Sequence, residues 1–348
     1  MNSEENKRDI RRLNPQELEQ FFLEQGEKPF RARQVQEWLW KKSAKDFDQM
    51  TNLSLSTRTL LKAHFTMNPI RVDKMQRSED GTIKNAVTLS DGRVVESVLI
   101  PTEDRITACV SSQVGCSLDC KFCATARLKR MRNLNADEIY DQVVAIRQQC
   151  ELFFNRPLTN IVFMGMGEPL LNYSNVISAI DKITSEKGLN MASKRITLST
   201  VGIARMIIKM ADDGVKFNLA VSLHSARNET RSSIMPINDS NSLEALGEAL
   251  KYWYKKTKRG VTYEYVVWEG VNDTKEDIEA LVKFCKIIPS KVNLIEYNTF
   301  EDVSFKQAST KVINQYQKIL DEQGIIARIR RSRGKDIDAA CGQLANKS

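Results

Sequence analysis

From residue 106 onward the chain repeats one pattern. A short β-type apolar run is followed by a polar or glycine-bearing junction and then by a segment with apolar positions at helical spacing. This predicts strands over 106–111, 160–164, 195–199, 216–223, 261–268, 291–297 and 325–331, and helices over 135–149, 176–185, 203–212, 243–255, 275–287 and 310–323. Strand–helix alternation implies a parallel sheet with helical crossovers. The expectation is an α/β fold, an incomplete (βα)6 TIM-like barrel. The first 75 residues read as helical. Asn14 caps a helix that has Pro15 at its first position and Glu17 in its first turn, a second helix starts near Arg31, and a third covers 53–64 under Ser54 or Ser56. Residues 84–89 and 93–100 form a hairpin around Ser90-Asp91-Gly92. The expected division is a helical accessory domain over 1–75, a hairpin linker over 76–102, the barrel over 103–335 and a carboxy-terminal segment over 336–348.

In such barrels the chemistry sits at the carboxy-terminal ends of the strands. The junctions there carry Cys116, Cys120 and Cys123, then Gly167 and Glu168, Ser199, Ser222 with Leu223 and His224, Glu269 with Asn272, and Asn298. Ordinary βα loops are also polar and glycine-rich. What separates this chain from that case is the spacing CxxxCxxC. Soft thiolates so spaced select zinc, copper(I) or an iron–sulfur cluster. No fourth ligand follows at zinc-finger spacing, since the next Cys is Cys150 and the next His is His224. Three ligands favour a cluster with one open iron over a closed structural zinc. Glu96 interrupts the second hairpin strand, VVESVLI, and the pattern alone favours a solvent-facing side chain.

Composition adds partners and compartment. Hydrophobic residues make up 41% and charged residues 28% of the chain, and no apolar run reaches membrane-spanning length. The polar start MNSEENKRDIRRLN has no signal-peptide core, so a cytoplasmic protein is expected. A net charge of +8 fits either a mildly basic enzyme or one with a polyanionic partner such as RNA. Cations cluster at 127–132, at 251–259 around Tyr252, Trp253 and Tyr254, and at 328–335. The middle cluster reads equally as a base-stacking surface and as a helix end with its aromatics in the core. Seven cysteines in a cytoplasmic chain argue against a disulfide framework, and Cys150 and Cys285 fit buried apolar positions.

Cys116-x-x-x-Cys120-x-Phe122-Cys123 resembles the signature of the radical S-adenosylmethionine (SAM) enzymes, and Gly165-Met166-Gly167-Glu168-Pro169 resembles their SAM-binding glycine–glutamate motif. The segments around Cys109, GEPLLN ending at Asn172, Ser222-Leu223-His224-Ser225, Met235-Pro236-Ile237-Asn238 and the stretch from Asp336 to Cys341 resemble the RNA adenine methyltransferases of the RlmN/Cfr family, over nearly the whole chain. The run ATARLKRMRNL after Cys123 is shorter than the glycine-containing version of many relatives. The resemblance implies a barrel of the radical SAM type. It implies a [4Fe–4S] cluster on Cys116, Cys120 and Cys123, with SAM held by Gly167, Glu168, Ser199, Ser222, Leu223, His224 and Asn298. Two SAM molecules would be used per turnover. Cys341 would carry a methyl group, Cys109 would resolve the product through a transient disulfide with Cys341, and Glu96 would accept the ring proton. The GEPLLN run resembles the branch that methylates adenine C2 in 23S rRNA, before full ribosome assembly, and in tRNA. An electron donor such as flavodoxin or ferredoxin, a monomeric state and no membrane partner complete what it implies. Adenine C8 methylation is the alternative within the family, and a zinc-stapled RNA-binding protein is the alternative outside enzymes.

Overall fold

Local sequence sets the ends of most elements. The computed structural model describes residues 7–300 and 304–346, so the first six residues of the polar amino terminus and the last two of the carboxy-terminal segment lie outside the described residues. Asn14 accepts from the Glu17 N–H while Glu17 reaches back to the Asn14 N–H, which opens α1 (Pro15–Glu24) with a reciprocal cap. α2 (Phe30–Trp40) and α3 (Leu55–His64) follow, the latter capped by Ser54. Three antiparallel strands come next: β1 (Arg71–Arg77), β2 (Ile83–Thr88) and β3 (Val94–Pro101). β4 (Ile106–Cys109) pairs antiparallel with β3 and opens the parallel part of the sheet. The short pair β5 (Gln113–Val114) and β6 (Arg132–Asn133) brackets the cysteine loop.

The rest of the chain winds one way. The elements are α4 (Ala136–Phe154), β7 (Asn160–Phe163), α5 (Tyr173–Thr184), β8 (Ile196–Thr200), α6 (Ala204–Asp212), β9 (Asn218–Ser222), α7 (Asn228–Ile234), α8 (Leu243–Thr257), β10 (Val261–Val266), α9 (Lys275–Cys285), β11 (Ser290–Ile295), α10 (Thr310–Glu322) and β12 (Ile326–Arg330). The sheet order is β1-β2-β3-β4-β7-β8-β9-β10-β11-β12, parallel from β4 onward. β12 pairs only with β11, so the barrel stays open: six βα units and a closing strand. Strand alternation sorts side chains between lumen and helices. In β10, Tyr263 and Tyr265 pack on Phe284 and Tyr316 of the outer helices, whereas Thr262 and Glu264 face inward.

The amino-terminal helices dock on α4. Buried Arg11 bonds Asp141 at 2.7 Å and Asp9 at 3.0 Å, with Asp137 at 3.3 Å. The Tyr140 hydroxyl donates to the Trp40 carbonyl at 2.6 Å. One continuous buried apolar cluster runs from Ile10 to Leu344.

Three sequence expectations are corrected or completed here. β1 carries no apolar alternation because it is a charged, exposed edge strand, the composition that protects an edge from pairing. Glu96 is not solvent-facing but 2% exposed, because α4 covers one side of the β2–β3 hairpin and the carboxy-terminal segment covers the other. Residues 251–259 are a helix end with its aromatics packed inward, not a stacking surface. Trp253 is fully buried and donates to the Arg259 carbonyl, and Tyr252 donates to Asp212. Cys150 and Cys285 are buried as expected. Among the described residues no helix is long and apolar enough to cross a membrane.

Candidate active site

The cysteine loop needs backbone that only small residues allow. Gly115 has φ of 74°, and a Cβ there would meet the Lys129 carbonyl at 2.5 Å. That approach lets the Cys116 N–H donate to the Leu128 carbonyl at 3.1 Å and folds the loop back on itself. The Cys123 N–H donates to the Cys120 carbonyl, also at 3.1 Å. Phe122 packs edge-on against His224, with ring centroids 4.7 Å apart, and against Trp268. Burial pushes all three thiols up, Cys116 to about 11, and Cys123 and Cys116 further disfavour the ionised form of Cys120. No three His, Cys, Asp or Glu side chains among the described residues are grouped to hold a single metal ion. Three soft donors on one loop, Cys120 buried and Cys116 and Cys123 half-buried, kept as thiols by their surroundings, fit an iron–sulfur cluster that would invert that preference.

Across the pocket, the loop after β7 is built on two further close approaches. A Cβ on Gly165 would meet Ser111 Oγ at 2.7 Å, and one on Gly167, whose φ is 92°, would meet Gln113 Cβ at 2.5 Å. Glu168 is 3% exposed and has no cation beside it among the described residues. It accepts from the Leu170 and Val201 N–H groups at 3.0 Å each, and burial pushes its pKa up to about 7. Ser199, Ser222 and His224 line the same cavity of about 170 Å³, together with Asn298, Cys123 and Cys341. The Oδ1 of Asn298 is buried without a partner, an acceptor free for a ligand donor. His224 Nδ1 accepts from the Val266 N–H at 3.2 Å, and burial holds the ring neutral with its pKa near 3. Leu223 is not on the cavity wall. Its side chain is in the core, and its N–H donates to the Glu264 carbonyl. Asn172 of the GEPLLN run is a buried tie that donates to the Ser112 and Leu134 carbonyls.

The far end of the chain completes the wall. The Ala124 N–H donates to the Gly342 carbonyl at 2.7 Å and Thr125 Oγ1 to the Leu344 carbonyl at 2.6 Å, so the cysteine loop itself holds the segment bearing Cys341. Asn298 Nδ2 donates to the Cys341 carbonyl at 3.3 Å. Cys341 is exposed and lines both this cavity and the barrel lumen, where buried Cys109 also lies. Arg330 sits between them. Its cationic form is favoured first by Cys341, then by Glu264 at 3.6 Å and by Cys109. Burial pushes Cys109 up to about 12, so it is a thiol at neutral pH. Glu96 lines neither cavity. Its carboxylate bonds the Ala345 and Asn346 N–H groups at 2.9 and 3.2 Å and pairs with Lys84 Nζ at 3.4 Å.

Sequence reasoning misses Arg231. It is fully buried and donates to the carbonyls of Val201 (2.6 Å), Leu223 (3.2 Å) and Ser222 (3.3 Å), and to Asn238 Oδ1 (2.8 Å). It binds together the loops after β8 and β9; burial pulls its pKa down to about 10, and Cys120 offsets part of that. Asn238 in the Met-Pro-Ile-Asn run is the trace it leaves in the sequence.

The open (βα)6 barrel with three cysteines facing a glycine–glutamate loop defines a radical SAM enzyme. The radical SAM superfamily model matches residues 110–285, and the model for the ribosomal RNA large subunit methyltransferase N-terminal domain matches residues 8–67. A probable dual-specificity RNA methyltransferase RlmN of Christiangramia forsetii is 64% identical over 98% of this chain and 97% of its own length. The dual-specificity RNA methyltransferase RlmN of Geotalea uraniireducens is 42% identical over 97% of both chains. The crystal structure of a radical SAM methyltransferase from Sphaerobacter thermophilus matches with a TM-score of 0.91 and 38% identity, over 97% of this chain and 99% of that one. This chain belongs to the RlmN family. Its cofactors are those of the superfamily, a [4Fe–4S] cluster and SAM.

Proposed function

We propose that this enzyme methylates C2 of an adenine in 23S rRNA and of an adenine in tRNA, using Cys341 as the methyl carrier. The observation that carries the reading is the placement of Cys341. It is an exposed thiol on the wall shared by the cluster cavity and the lumen, beside Arg330 and the buried thiol Cys109. The dual specificity and the C2 position rest on the names and high identity of the relatives.

Cys116, Cys120 and Cys123 would hold the cluster. Gly167, Glu168, Ser199, Ser222, His224 and Asn298 would hold SAM, with Leu223 contributing main chain only. Adenine C2 is not a nucleophile, so a polar transfer to it is slow. The bound cofactors supply a carbon radical able to take hydrogen from a methyl group. The chain's own residues do the rest. The Cys341 sulfur accepts the methyl group and presents it at the cavity mouth. Glu96 takes the proton from C2 once residues 345 and 346 release its carboxylate. The Cys109 sulfur, its proton lost, then bonds to the Cys341 sulfur as that sulfur's bond to the transferred carbon breaks; the carbon takes up a proton, which frees the methylated base and leaves a disulfide. Arg330 offsets charge on whichever sulfur is a thiolate. The base must leave its stack to enter the cavity, and the exposed cations Arg33, Lys41 and Lys42 on the accessory helices suit the RNA backbone. A flavodoxin or ferredoxin would supply electrons to a monomeric cytoplasmic enzyme.

The test is turnover of cluster-loaded protein with unmodified 23S rRNA and tRNA, followed by nucleoside mass spectrometry. 2-Methyladenosine from both RNAs is expected. 8-Methyladenosine would overturn the regiochemistry, and full activity in Cys341→Ala would overturn the carrier.

A further inference from the structure

The open barrel encloses a second, larger cavity of about 620 Å³, within the range of small-molecule sites. It runs along the lumen from the amino-terminal ends of the strands, marked by Thr107, Asn160, Thr262 and Lys291, up to Cys109 and Cys341. Met164, Glu264, Ile295, Arg330 and Cys341 line both cavities, so the lumen reaches the active site from below. Its wall is cationic. Arg105, Lys291, Arg328, Arg330, Arg331 and Arg333 face it, against Glu264 as the one lining carboxylate among the described residues. Arg330 pairs with Glu264, Arg331 with Glu296 at 2.8 Å, and Arg333 lies 3.9 Å from Asp80. Arg105, Lys291 and Arg328 have no carboxylate within salt-bridge distance among the described residues, and all three are exposed. Low-dielectric walls of one sign concentrate ions of the other sign.

The reaction proposed above ends with Cys109 and Cys341 joined, and the next methyl transfer needs Cys341 free. At that moment the upper cavity faces RNA and cofactor, and the lumen is the remaining approach to the two sulfurs. We propose that the lumen is a binding site for a small anionic thiol, which enters at the amino-terminal ends of the strands and reduces the Cys109–Cys341 disulfide. The inference rests on the methyl-carrier reading. One thiolate bonds to the Cys109 sulfur, and the Cys341 sulfur leaves as a thiolate beside Arg330. A second thiol attacks the external sulfur of the mixed disulfide and releases Cys109, which takes up a proton. Two thiols become one external disulfide, and the protein disulfide becomes two free cysteines.

The experiment uses anaerobic, cluster-loaded protein oxidised with diamide, with the Cys109–Cys341 peptide quantified by mass spectrometry after an alkylating quench. Reduction is timed with 3-mercaptopropionate, 2-mercaptoethanol and cysteamine, each normalised to its rate on a small neutral disulfide in solution. The anionic thiol is expected to exceed the cationic one by on the order of tenfold at low salt, the gap narrowing as salt screens it. The double variant Lys291→Glu, Arg328→Glu, at two exposed positions, should reverse the order. Normalised rates that ignore thiol charge in both proteins overturn the site while leaving the disulfide intact as a finding. Failure of any Cys109–Cys341 disulfide to form removes the site together with the methyl-carrier reading, and the peptide map tells the two failures apart.

Discussion

Glu168 gives the most quantitative handle on the cofactor site. Its carboxylate is 3% exposed, hydrogen-bonded to two backbone N–H groups and unpaired with any cation among the described residues. Burial moves its pKa from 4.5 to about 7. Holding it ionised costs on the order of 3 kcal/mol, at about 1.4 kcal/mol for each tenfold change in proton affinity. For an acid raised in the fold, the native state holds its proton more tightly than the unfolded chain between pH 4.5 and 7. Stability from this group therefore falls as pH rises across that window and is level above it. A ligand that aims an amine N–H at this oxygen restores the lost solvation and binds the ionised form. With a pKa of about 7, roughly one site in ten is ionised at pH 6 and nine in ten at pH 8. SAM affinity should therefore rise about tenfold, about 1.4 kcal/mol, between those pH values and then level off. The assay is anaerobic equilibrium dialysis of labelled SAM against cluster-loaded protein and its Glu168→Gln variant. The amine of SAM titrates in both, so the difference between the two profiles belongs to Glu168. Parallel profiles would refute the argument.

Three further outcomes are expected. Gly167→Ala forces a Cβ to 2.5 Å from Gln113 at a φ of 92°, and should abolish SAM binding in dialysis while iron content, set by the facing loop, stays within about twofold. Arg231→Met leaves three carbonyls and Asn238 without their donor. At about 1 kcal/mol each, this should cost roughly 3–4 kcal/mol in chemical denaturation of the cluster-loaded protein, and Arg231→Lys, with three donors and no fork, should recover only part of it. Lys41→Glu with Lys42→Glu should weaken RNA binding and lower the slope of log affinity against log salt by about 1–2, without changing SAM affinity.

Much of the fold is legible because its signals are local. The cap at Asn14 and the run opening at Asn135 place two helix starts to within a residue, and the alternation of β-type and helical runs places every parallel strand. What escapes is set by packing between distant segments. β1 goes unread, its start falling within the 75 residues that read as helical, because an edge strand exposes both faces. Glu96 looks solvated because nothing in VVESVLI announces that residues 345 and 346 will cover it. The candidate site divides the same way. The cysteine loop and the glycine–glutamate loop are contiguous motifs that the chain spells out. Arg231 is a single buried cation, and its partners, three of them carbonyls on two other loops, carry no side-chain signature. Leu223 falls within a motif but serves the core, since strand alternation turns its side chain away from the cavity that Ser222 and His224 line.

The carboxy-terminal segment is what links the β2–β3 hairpin to the cavity walls. Under the proposed reaction one sulfur, Cys341, meets a methyl donor, an adenine and Cys109 in turn, which a rigid wall cannot arrange. The segment is instead strapped at both ends. The β1–β2 turn holds its start, with Ser78 Oγ on Asp336 at 2.5 Å and the Gly334 N–H on Asp80 at 3.0 Å. Thr125 and Glu96 hold its end through Leu344, Ala345 and Asn346. Between the anchors the strap makes one 3-10 turn, Lys335–Ile337, and passes through Asp338 and Gly342, whose φ values are 50° and 84°; the Ala124 N–H also ties it at the Gly342 carbonyl. Cys341 sits in that stretch, exposed, with its carbonyl held by Asn298 alone among side chains. Under the proposed reaction, Glu96 has two tasks that exclude each other. While it accepts from residues 345 and 346 it closes the strap, and its lone pairs are engaged. When it takes a proton from the base the strap's end must let go. A carboxylate that serves alternately as anchor and as base couples release of the Cys341 segment to the arrival of substrate. Under the proposed reaction, that coupling would be a physical reason to bury an acid on the β2–β3 hairpin, against the carboxy-terminal segment.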